Sequence, residues 1–413
     1  MWLLQFPPPR MKLLLCILAG LIVALTSSAN TRGFIPPTDD TIIEQLPAGS
    51  ASPEMRRARE LSRQLRATPD DLKLAARVSR EHIRNARATA DPRHLGYAEA
   101  ALRPWWTRDD APAEALVLRA TIKQSLHDFA AARSDLELAV TRDPANAQAW
   151  LTLATIDTVQ GRYDEARRAC IQLARLGESF SATVAAAAIA GLNGQSAAAV
   201  RQLEGLLARS ATLPVDQRLW AITQLAELQA RTRNPAEADA RFREALKLGE
   251  PDPYLLGAYA DFLLDQKRPE EVVRLLADHG RQDGSLLRLA EARRQLVATA
   301  GTGELDRMTT ELGARFDAAR RRGDSVHQRE EARFLLRLGN DPSRALALAV
   351  ENWKLQREPA DARLLLECAL AANRSSDATE TLDWMAKSRI EDKALSTLRD
   401  RLTTMASAVP AKP

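Results

Sequence analysis

Histidine, cysteine and aromatic side chains are scarce in this 413-residue chain, and each scarcity removes a class of chemistry. The five histidines, His82, His94, His127, His279 and His327, are scattered, and none stands in a metal-binding spacing such as HExxH. The three cysteines, Cys16, Cys170 and Cys368, lack metal-ligand spacing as well. Cys170 and Cys368 fall inside helical patterns and are expected as buried, small apolar side chains. Aromatics make up 5% of the chain and are dispersed, which argues against a glycan-binding cleft. Gly301-Thr302-Gly303 follows no strand and lacks the third glycine and the lysine of a phosphate loop, so it reads as a helix linker. Glu330 and Glu331 are neighbours that point to different sides of a helix, which does not suit an acid and base pair. Charge of one sign is also lacking. The formal net charge is +4, and it falls to about +2 without Arg10 and Lys12, too little for a whole-molecule nucleic-acid footprint. No catalytic residue, metal or cofactor is expected, and nucleic acid is not an expected partner.

Alanine supplies much of the 45% hydrophobic content, and it is the best helix former, so an all-α fold follows. Residues 1–29 read as a targeting segment outside the fold. Lys12 precedes an apolar run from Leu13 to Leu25, enough for a signal-peptide core and short of the ~20 residues that span a bilayer. Ser27 and Ala29 suit cleavage before Asn30, whereas Leu13-Leu14-Leu15 before Cys16 lacks the small residues of a lipoprotein site. A bacterial protein exported to the periplasm is expected. An uncleaved leader holding the chain to the inner membrane, facing the periplasm, is the alternative, and it is the only membrane contact anticipated. Either Met1 or Met11 could be the start. Residues 30–52, with Pro36-Pro37, Pro47, Gly49 and Ser50, are expected to be a flexible linker.

Helical patterns at 53–66, 69–87 and 91–102 make up an irregular N-terminal segment, 53–112. Leu72, Ala76, Ser79, Ile83 and Ala86 share one face of the second. Arg77, Arg80, Arg84 and Arg87 form a basic stripe beside it, readable as a solvated surface or as a seat for an acidic partner or phospholipid headgroups. Trp105 and Trp106 point about 100° apart on a helix, so one is expected exposed, and the pair is expected to wedge the N-terminal helices against residues 113–146. Towards the C-terminus, patterns at 286–298, 305–322, 330–338, 342–356, 360–372, 378–387 and 391–404 keep a paired rhythm. Arg320-Arg321-Arg322-Gly323 has the cations and glycine of a helix end.

The organising stretch is 113–178. Phe129, Ala132, Leu136, Ala139 and Pro144 are echoed by Tyr163, Ala166, Cys170, Leu173 and Glu178, each 34 positions on, the length of one helix-turn-helix unit. Trp150, Leu153 and Ala154 precede the second copy. Together these residues resemble the tetratricopeptide-repeat (TPR) pattern, with Ala166 at its invariant small position. The small-residue marker continues at Ala199, Ala238 and Val272, with a longer step across an insertion at residues 210–214, after which Ala238, Phe242, Ala245 and Pro251 restore the motif. The resemblance covers residues 55–395 and is strongest over 113–275, which puts the TPR-like repeats at 113–283. It makes 284–405 divergent helical repeats ending in a cap, with 406–413 as a disordered tail. It implies an α-solenoid in which stacked antiparallel helix pairs wind into a right-handed superhelix with a concave groove. Gly161 and Gly194 would sit at the turns with positive φ.

The same resemblance implies which side chains face the groove: Glu114, Val117, Thr121, Gln124 and Ser125 in one repeat, and Gln148, Leu151, Thr155, Thr158 and Val159 in the next. Tyr254, Asp261 and Asp265 would extend it with an acidic tendency. The Lys, Arg and Asn clamp of chaperone-tail TPR domains is missing, so an extended or helical peptide segment is the expected ligand rather than a terminal carboxylate. The leading expectation is a non-catalytic periplasmic scaffold for protein or peptide partners. The rivals are a membrane-anchored subunit of an envelope secretion or polysaccharide export assembly, and a helical-toroid glycan-active enzyme. The residues specify neither the partner nor an oligomeric state.

Overall fold

A computed structural model describes residues 38, 53–89, 91–209, 213–232, 234–249, 252–323 and 327–408. The leader, the linker apart from Thr38, residues 210–212 of the insertion, Pro251 and residues 409–413 lie outside the described residues. All described helices belong to the unit Pro53–Pro413.

Among the described residues there is helix and turn and no strand. Three N-terminal helices, α1 (Pro53–Ala67), α2 (Leu72–Thr89) and α3 (Arg93–Ala101), lead through a short 3₁₀ turn, Arg103–Trp105, into a run of hairpins. These are α4 (Ala113–Ser125) with α5 (Phe129–Arg142), α6 (Ala147–Val159) with α7 (Tyr163–Arg175), α8 (Ser179–Gly191) with α9 (Ser196–Arg209), and α10 (Val215–Arg231) with α11 (Pro235–Leu246). Next come α12 (Pro253–Asp265) with the short α13 (Pro269–Leu275), then α14 (Asp283–Gln295), the single turn α15 (Val297–Ala300) and the long α16 (Gly303–Arg321). The last pairs are α17 (Gln328–Arg337) with α18 (Pro342–Leu355) and α19 (Pro359–Ala371) with α20 (Thr379–Ser388), closed by α21 (Lys393–Ala408). The stretch read as one pattern over 286–298 is broken at Leu296, and the paired rhythm does not fade after 284. Helix α21 runs to Ala408, three residues into the stretch expected to be disordered.

The turns explain how so many short helices end on cue. In the α4–α5, α6–α7, α7–α8, α8–α9, α12–α13 and α19–α20 connections the backbone N–H of Asp128, Arg162, Glu178, Gln195, Arg268 and Arg374 bonds the carbonyl five residues back. The residue before each has positive φ: His127, Gly161, Gly177, Gly194, Lys267 and Asn373. This is the Schellman ending, which satisfies orphan carbonyls and reverses the chain. Asp128, Asn146, Asp252 and Asp341 then cap the following helices by accepting a backbone N–H three residues on.

Stacking follows from side-chain size. Ala132, Ala166, Ala199, Ala238 and Val272 are all 0% exposed, so every marker read from the repeat lies at a helix crossing. Phe242, Leu136 and Leu203 fill the adjoining gaps. Tyr163, Leu153 and Ala139 are buried as well, while Trp150 is half-buried and bonds the Pro144 carbonyl through Nε1 at 2.9 Å. Pro144 itself is exposed. The first helix of each pair also touches the first helix of the next, giving a continuous layer from α4 through α6, α8, α10, α12, α14, α17 and α19 to α21. That layer is what makes the array a solenoid, in which each unit buries a face its neighbour would otherwise leave wet.

Trp105 is buried and Trp106 half-buried, packed on the core with Lys123 5.8 Å from its ring, so neither is thrown into solvent. A charge deep in the structure holds this corner. Arg119, 6% exposed, grips Asp135 through Nε at 2.8 Å and donates Nη1 to the carbonyls of Trp105 and Trp106 at 3.0 and 2.7 Å. One guanidinium thereby pins the end of the N-terminal helices to the first hairpin.

The solenoid also meets itself. The Arg357 backbone N–H donates to the Val159 carbonyl at 2.7 Å. Gln356 Nε2 lies 3.0 Å from His127 Nδ1, Trp384 Nε1 donates to the Tyr163 hydroxyl at 3.1 Å, and the Ser196 N–H donates to Glu391 at 2.9 Å. The turns at the ends of α4, α6 and α8 therefore form one edge, and the turn after α18, α20 and the turn before α21 dock along it. Gly161 and Gly194 lie on that edge. A β-carbon at Gly161 would come within 3.3 Å of Arg357, and one at Gly194 within 3.0 Å of the Arg389 carbonyl.

Candidate partner-binding face

The layer of first helices curves enough that side chains three positions apart along it touch. Arg363 on α19 reaches Asp265 on α12 at 2.5 and 2.7 Å, passing both α14 and α17. That contact defines a concave side. On it, charges from successive helices interleave. Asp261 on α12 takes Arg288 of α14 at 2.9 Å and Arg333 of α17 at 2.8 Å. Arg333 also holds Glu291 at 2.6 Å, and Arg329 lies 3.3 Å from both Glu358 and Asp361. Arg363 binds Glu367 at 3.1 Å besides Asp265.

Field and burial act on these groups in opposite senses. Burial would raise the Asp261 carboxyl, but Arg288 and Arg333 more than offset it and hold the group well below the usual carboxylate range. Asp361 beside it keeps the Arg329 guanidinium firmly charged against the cost of burial. Glu227 on α10 differs. Its carboxylate receives the Tyr254 hydroxyl at 2.9 Å to each oxygen, and burial pushes it up to about 7 against the pull of Arg231 and that hydrogen bond. Tyr254 still has 57% of its surface open, although charges from α10 and from Glu358, just before α19, both act on it. The chemistry available here is recognition. Most carboxylates are saturated by guanidinium forks, which suits charge-matched contact with a polypeptide more than proton transfer.

The groove residues expected in the first two repeats are placed differently from one another. Val117 is 6% exposed and part of the core, so it is not available to a partner. Glu114 is bound to Arg80 at 2.5 Å. Thr121, Ser125, Thr155 and Thr158 turn their hydroxyls back onto carbonyls of their own helix, four residues earlier. Gln148 is exposed and bonds Thr152 at 3.1 Å; Gln124 and Leu151 are half-buried. Val159 is half-buried, and its carbonyl is the one taken by Arg357. Among the three residues expected to extend the groove, Tyr254 is open and Asp261 and Asp265 are neutralised by arginines, so the acidic tendency is cancelled.

Those arginines, Arg288, Arg329, Arg333 and Arg363, are what sequence reading missed. A signal existed. Glu227 and Asp261, Tyr254 and Arg288, Arg329 and Arg363, and Arg333 and Glu367 are each 34 positions apart, so charge recurs with the repeat where the small-residue marker has drifted.

Outside this face, His82 and His94 form a buried pair with Nδ1 atoms 3.0 Å apart, and Ser62 lies 3.3 Å from His82 Nε2. Burial first, then the neighbouring His94, lowers the His82 pKa, while Glu81 opposes them. Cys170 and Cys368 are buried free thiols, pushed by burial up to about 11 and about 12, which makes them inert packing groups.

Residues 125–187 match the family model described as tetratricopeptide repeat. That stretch carries tetratricopeptide repeats. The match spans the α4–α5 turn to the middle of α8, the stretch where the 34-residue echo is clearest. No curated protein matches the sequence. Among solved structures, a tetratricopeptide repeat protein from Parabacteroides merdae is 16% identical, with 71% of this chain and 98% of that chain covered and a TM-score of 0.30. The TPR domain of P58(IPK) is 14% identical, with 86% and 99% covered and a TM-score of 0.25. Neither superposes closely on this chain. TPR folds generally serve protein–protein interaction.

Proposed function

We propose that this protein is a non-catalytic TPR scaffold that holds protein or peptide segments on its concave face, and that it works in the periplasm after export by residues 1–29. The observation that carries the reading is the interleaved ladder of Asp261, Arg288, Arg333 and Arg329 across α12, α14 and α17. It offers both charges at fixed positions along a curved wall, and a mixed-charge peptide can exchange partners with it without leaving an ion unpaired. The face of α4 and α6 contributes less, because its hydroxyls are internally bonded and one end is covered by Gln356-Arg357.

The test is site-specific photo-crosslinking in intact cells, with the reactive residue at Tyr254 inside the curve or at Ile171 on α7, both of which are exposed. Distinct protein adducts from position 254 that are absent from position 171 are expected. The same adducts from both positions, or none from 254, would remove the concave face as the binding site. N-terminal sequencing of the recovered chain addresses location: a start near Asn30 supports export with cleavage, whereas an intact leader in the inner-membrane fraction supports the anchored form.

A further inference from the structure

The charge of this protein is concentrated in one place. Residues 53–89, helices α1 and α2, hold ten basic and five acidic residues, a net of +5, against +4 for the whole chain. The rest of the molecule is thus almost balanced.

The fold turns that excess outward. On α1, Ala58, Leu61 and Leu65 are buried against α2. Arg59, Arg63 and Arg66, spaced four and three apart, lie on the opposite side and are exposed. On α2, Ala76, Ser79 and Ile83 are buried, and the basic stripe read from the sequence, including Arg77, Arg84 and Arg87, lies on the far side and is exposed. Some of these charges are committed: Arg63 to Glu60, Arg80 to Glu114, and Arg84 to Glu81. Among the described residues Arg59, Arg66, Arg77 and Arg87 form no ion pair. The hairpin sits at the start of the described helices, and α2 is the neighbour on which α1 packs.

We propose that the outward faces of α1 and α2 seat this protein on an anionic lipid surface, by guanidinium contact with phosphate headgroups. Two features select lipid over other polyanions. The hairpin contains no Phe, Trp or Tyr, so it has no platform on which unpaired bases could stack. It also lacks the exposed large apolar side chain that anchors a protein partner, since those of the molecule lie elsewhere, at Tyr97, Leu126, Ile171, Leu176, Val215 and Tyr254. A bare array of forked donors instead matches a diffuse sheet of phosphates, where each cation adds a similar increment. The apolar run ending at Leu25 lies 28 residues before Pro53, so the hairpin is within about 95 Å of that segment along an extended chain. Helix α2 also packs against α12, but the arginines replaced below are exposed, and the inference does not rest on the scaffold reading.

The experiment is co-sedimentation of the full chain with vesicles of phosphatidylcholine containing one-third phosphatidylglycerol, and with vesicles of phosphatidylcholine alone. The quadruple variant Arg59→Gln, Arg63→Gln, Arg66→Gln, Arg77→Gln is compared with a control of equal charge loss, Arg167→Gln, Arg168→Gln, Arg175→Gln, Arg201→Gln. Both are first checked for an unchanged helical melt. The anionic vesicles should bind the wild type and the control alike, the hairpin variant should bind them at least roughly a hundredfold more weakly, and salt should weaken the wild-type binding. Equal binding of the wild type to both lipids would assign the interaction to the leader and overturn the proposal. Equal loss in both variants would do so too, by showing a response to net charge alone. Tighter capture by polyglutamate or RNA than by anionic vesicles would replace lipid with a different partner.

Discussion

The indole of Trp384 on α20 donates to the phenol oxygen of Tyr163 on α7 at 3.1 Å, across 221 residues of sequence. Both are buried, and Trp384 also meets Trp353 edge-on at 5.2 Å. Burial pushes the Tyr163 hydroxyl up to about 12, so it stays protonated and can accept this bond through the whole working range. An intramolecular contact of such long separation is made only when the superhelix closes on its own edge. Trp384→Phe keeps most of the packing and should cost about 1 kcal/mol, whereas Trp384→Ala should cost about 3–5 kcal/mol. X-ray scattering on the alanine variant should show a larger radius of gyration. An unchanged radius together with an unchanged melt would mean that the closure does not depend on this pair.

The turn glycines separate backbone strain from docking. Gly177 and Gly194 both have positive φ, 86° and 71°, so an alanine at either position is strained by about 1–2 kcal/mol. At Gly177 nothing lies within 4 Å of the added carbon, but at Gly194 it would meet the Arg389 carbonyl at 3.0 Å. Gly194→Ala should therefore be more destabilising than Gly177→Ala by about 1 kcal/mol or more, measured by urea unfolding. Equal losses would place α20 away from this edge in solution.

How far the sequence revealed this depends on which physics set each feature. The crossings were legible, because a small residue is needed wherever two backbones approach, and Ala132, Ala166, Ala199 and Ala238 mark four of them. The helix ends were legible where glycine carries the positive φ, at Gly161 and Gly194, and hidden where His127 or Lys267 adopts it. The closure was not legible, since Gln356, Arg357 and Trp384 show no pattern that points to residues some 200 positions away. The inner face was half legible. Tyr254, Asp261 and Asp265 were named from the repeat register, but the arginines that neutralise the two acids come from helices whose small-residue marker had drifted. Val117 was misplaced because a register carried from a family assigns direction by position and ignores that an aliphatic side chain will be buried wherever burial is open to it.

The crossing at Ala166 gives the sharpest check on the repeat register. This side chain is 0% exposed, with Tyr163, Ala169 and Cys170 buried around it on α7. Ala166→Leu adds three carbons where there is no free volume and should destabilise by about 1–3 kcal/mol. Ala130→Leu, at an exposed site on α5, should be nearly neutral. Similar melts for the two variants would contradict the helix contact on which the stack is built.

Arg119 and Asp135 allow a second kind of test, because they are buried and charged. Arg119→Met leaves the Asp135 carboxylate with Lys123 alone, at 2.8 Å, and frees the carbonyls of Trp105 and Trp106. A loss of about 3–5 kcal/mol is expected. Adding Asp135→Leu should recover part of it, since the stranded charge is removed as well. A double variant no better than the single would assign the loss to the freed carbonyls and not to the unpaired carboxylate.

Half-buried Glu227 and buried His82 make stability depend on pH in opposite directions. The Glu227 pKa is raised from 4.5 to about 7, so the folded protein holds that proton more tightly than the unfolded chain. Its contribution is complete below pH 4.5 and is lost as pH climbs to 7. Glu227→Gln cannot ionise, so relative to the wild type it should gain about 1–3 kcal/mol between those limits. The His82 pKa is lowered from 6.5 by burial and then by His94, so the folded protein resists that proton. Its contribution is complete above pH 6.5 and is lost as pH falls below it, because charging one imidazole sets it 3.0 Å from the nitrogen of another. His94→Gln removes the second ring and should blunt the acid loss without altering the slope set by Glu227. Thermal melts of the wild type and the two variants across this range separate the effects: Glu227→Gln should diverge from the wild type on the way up to neutrality, and His94→Gln on the way down from it. Three parallel curves would show that neither group titrates differently in the folded and unfolded states.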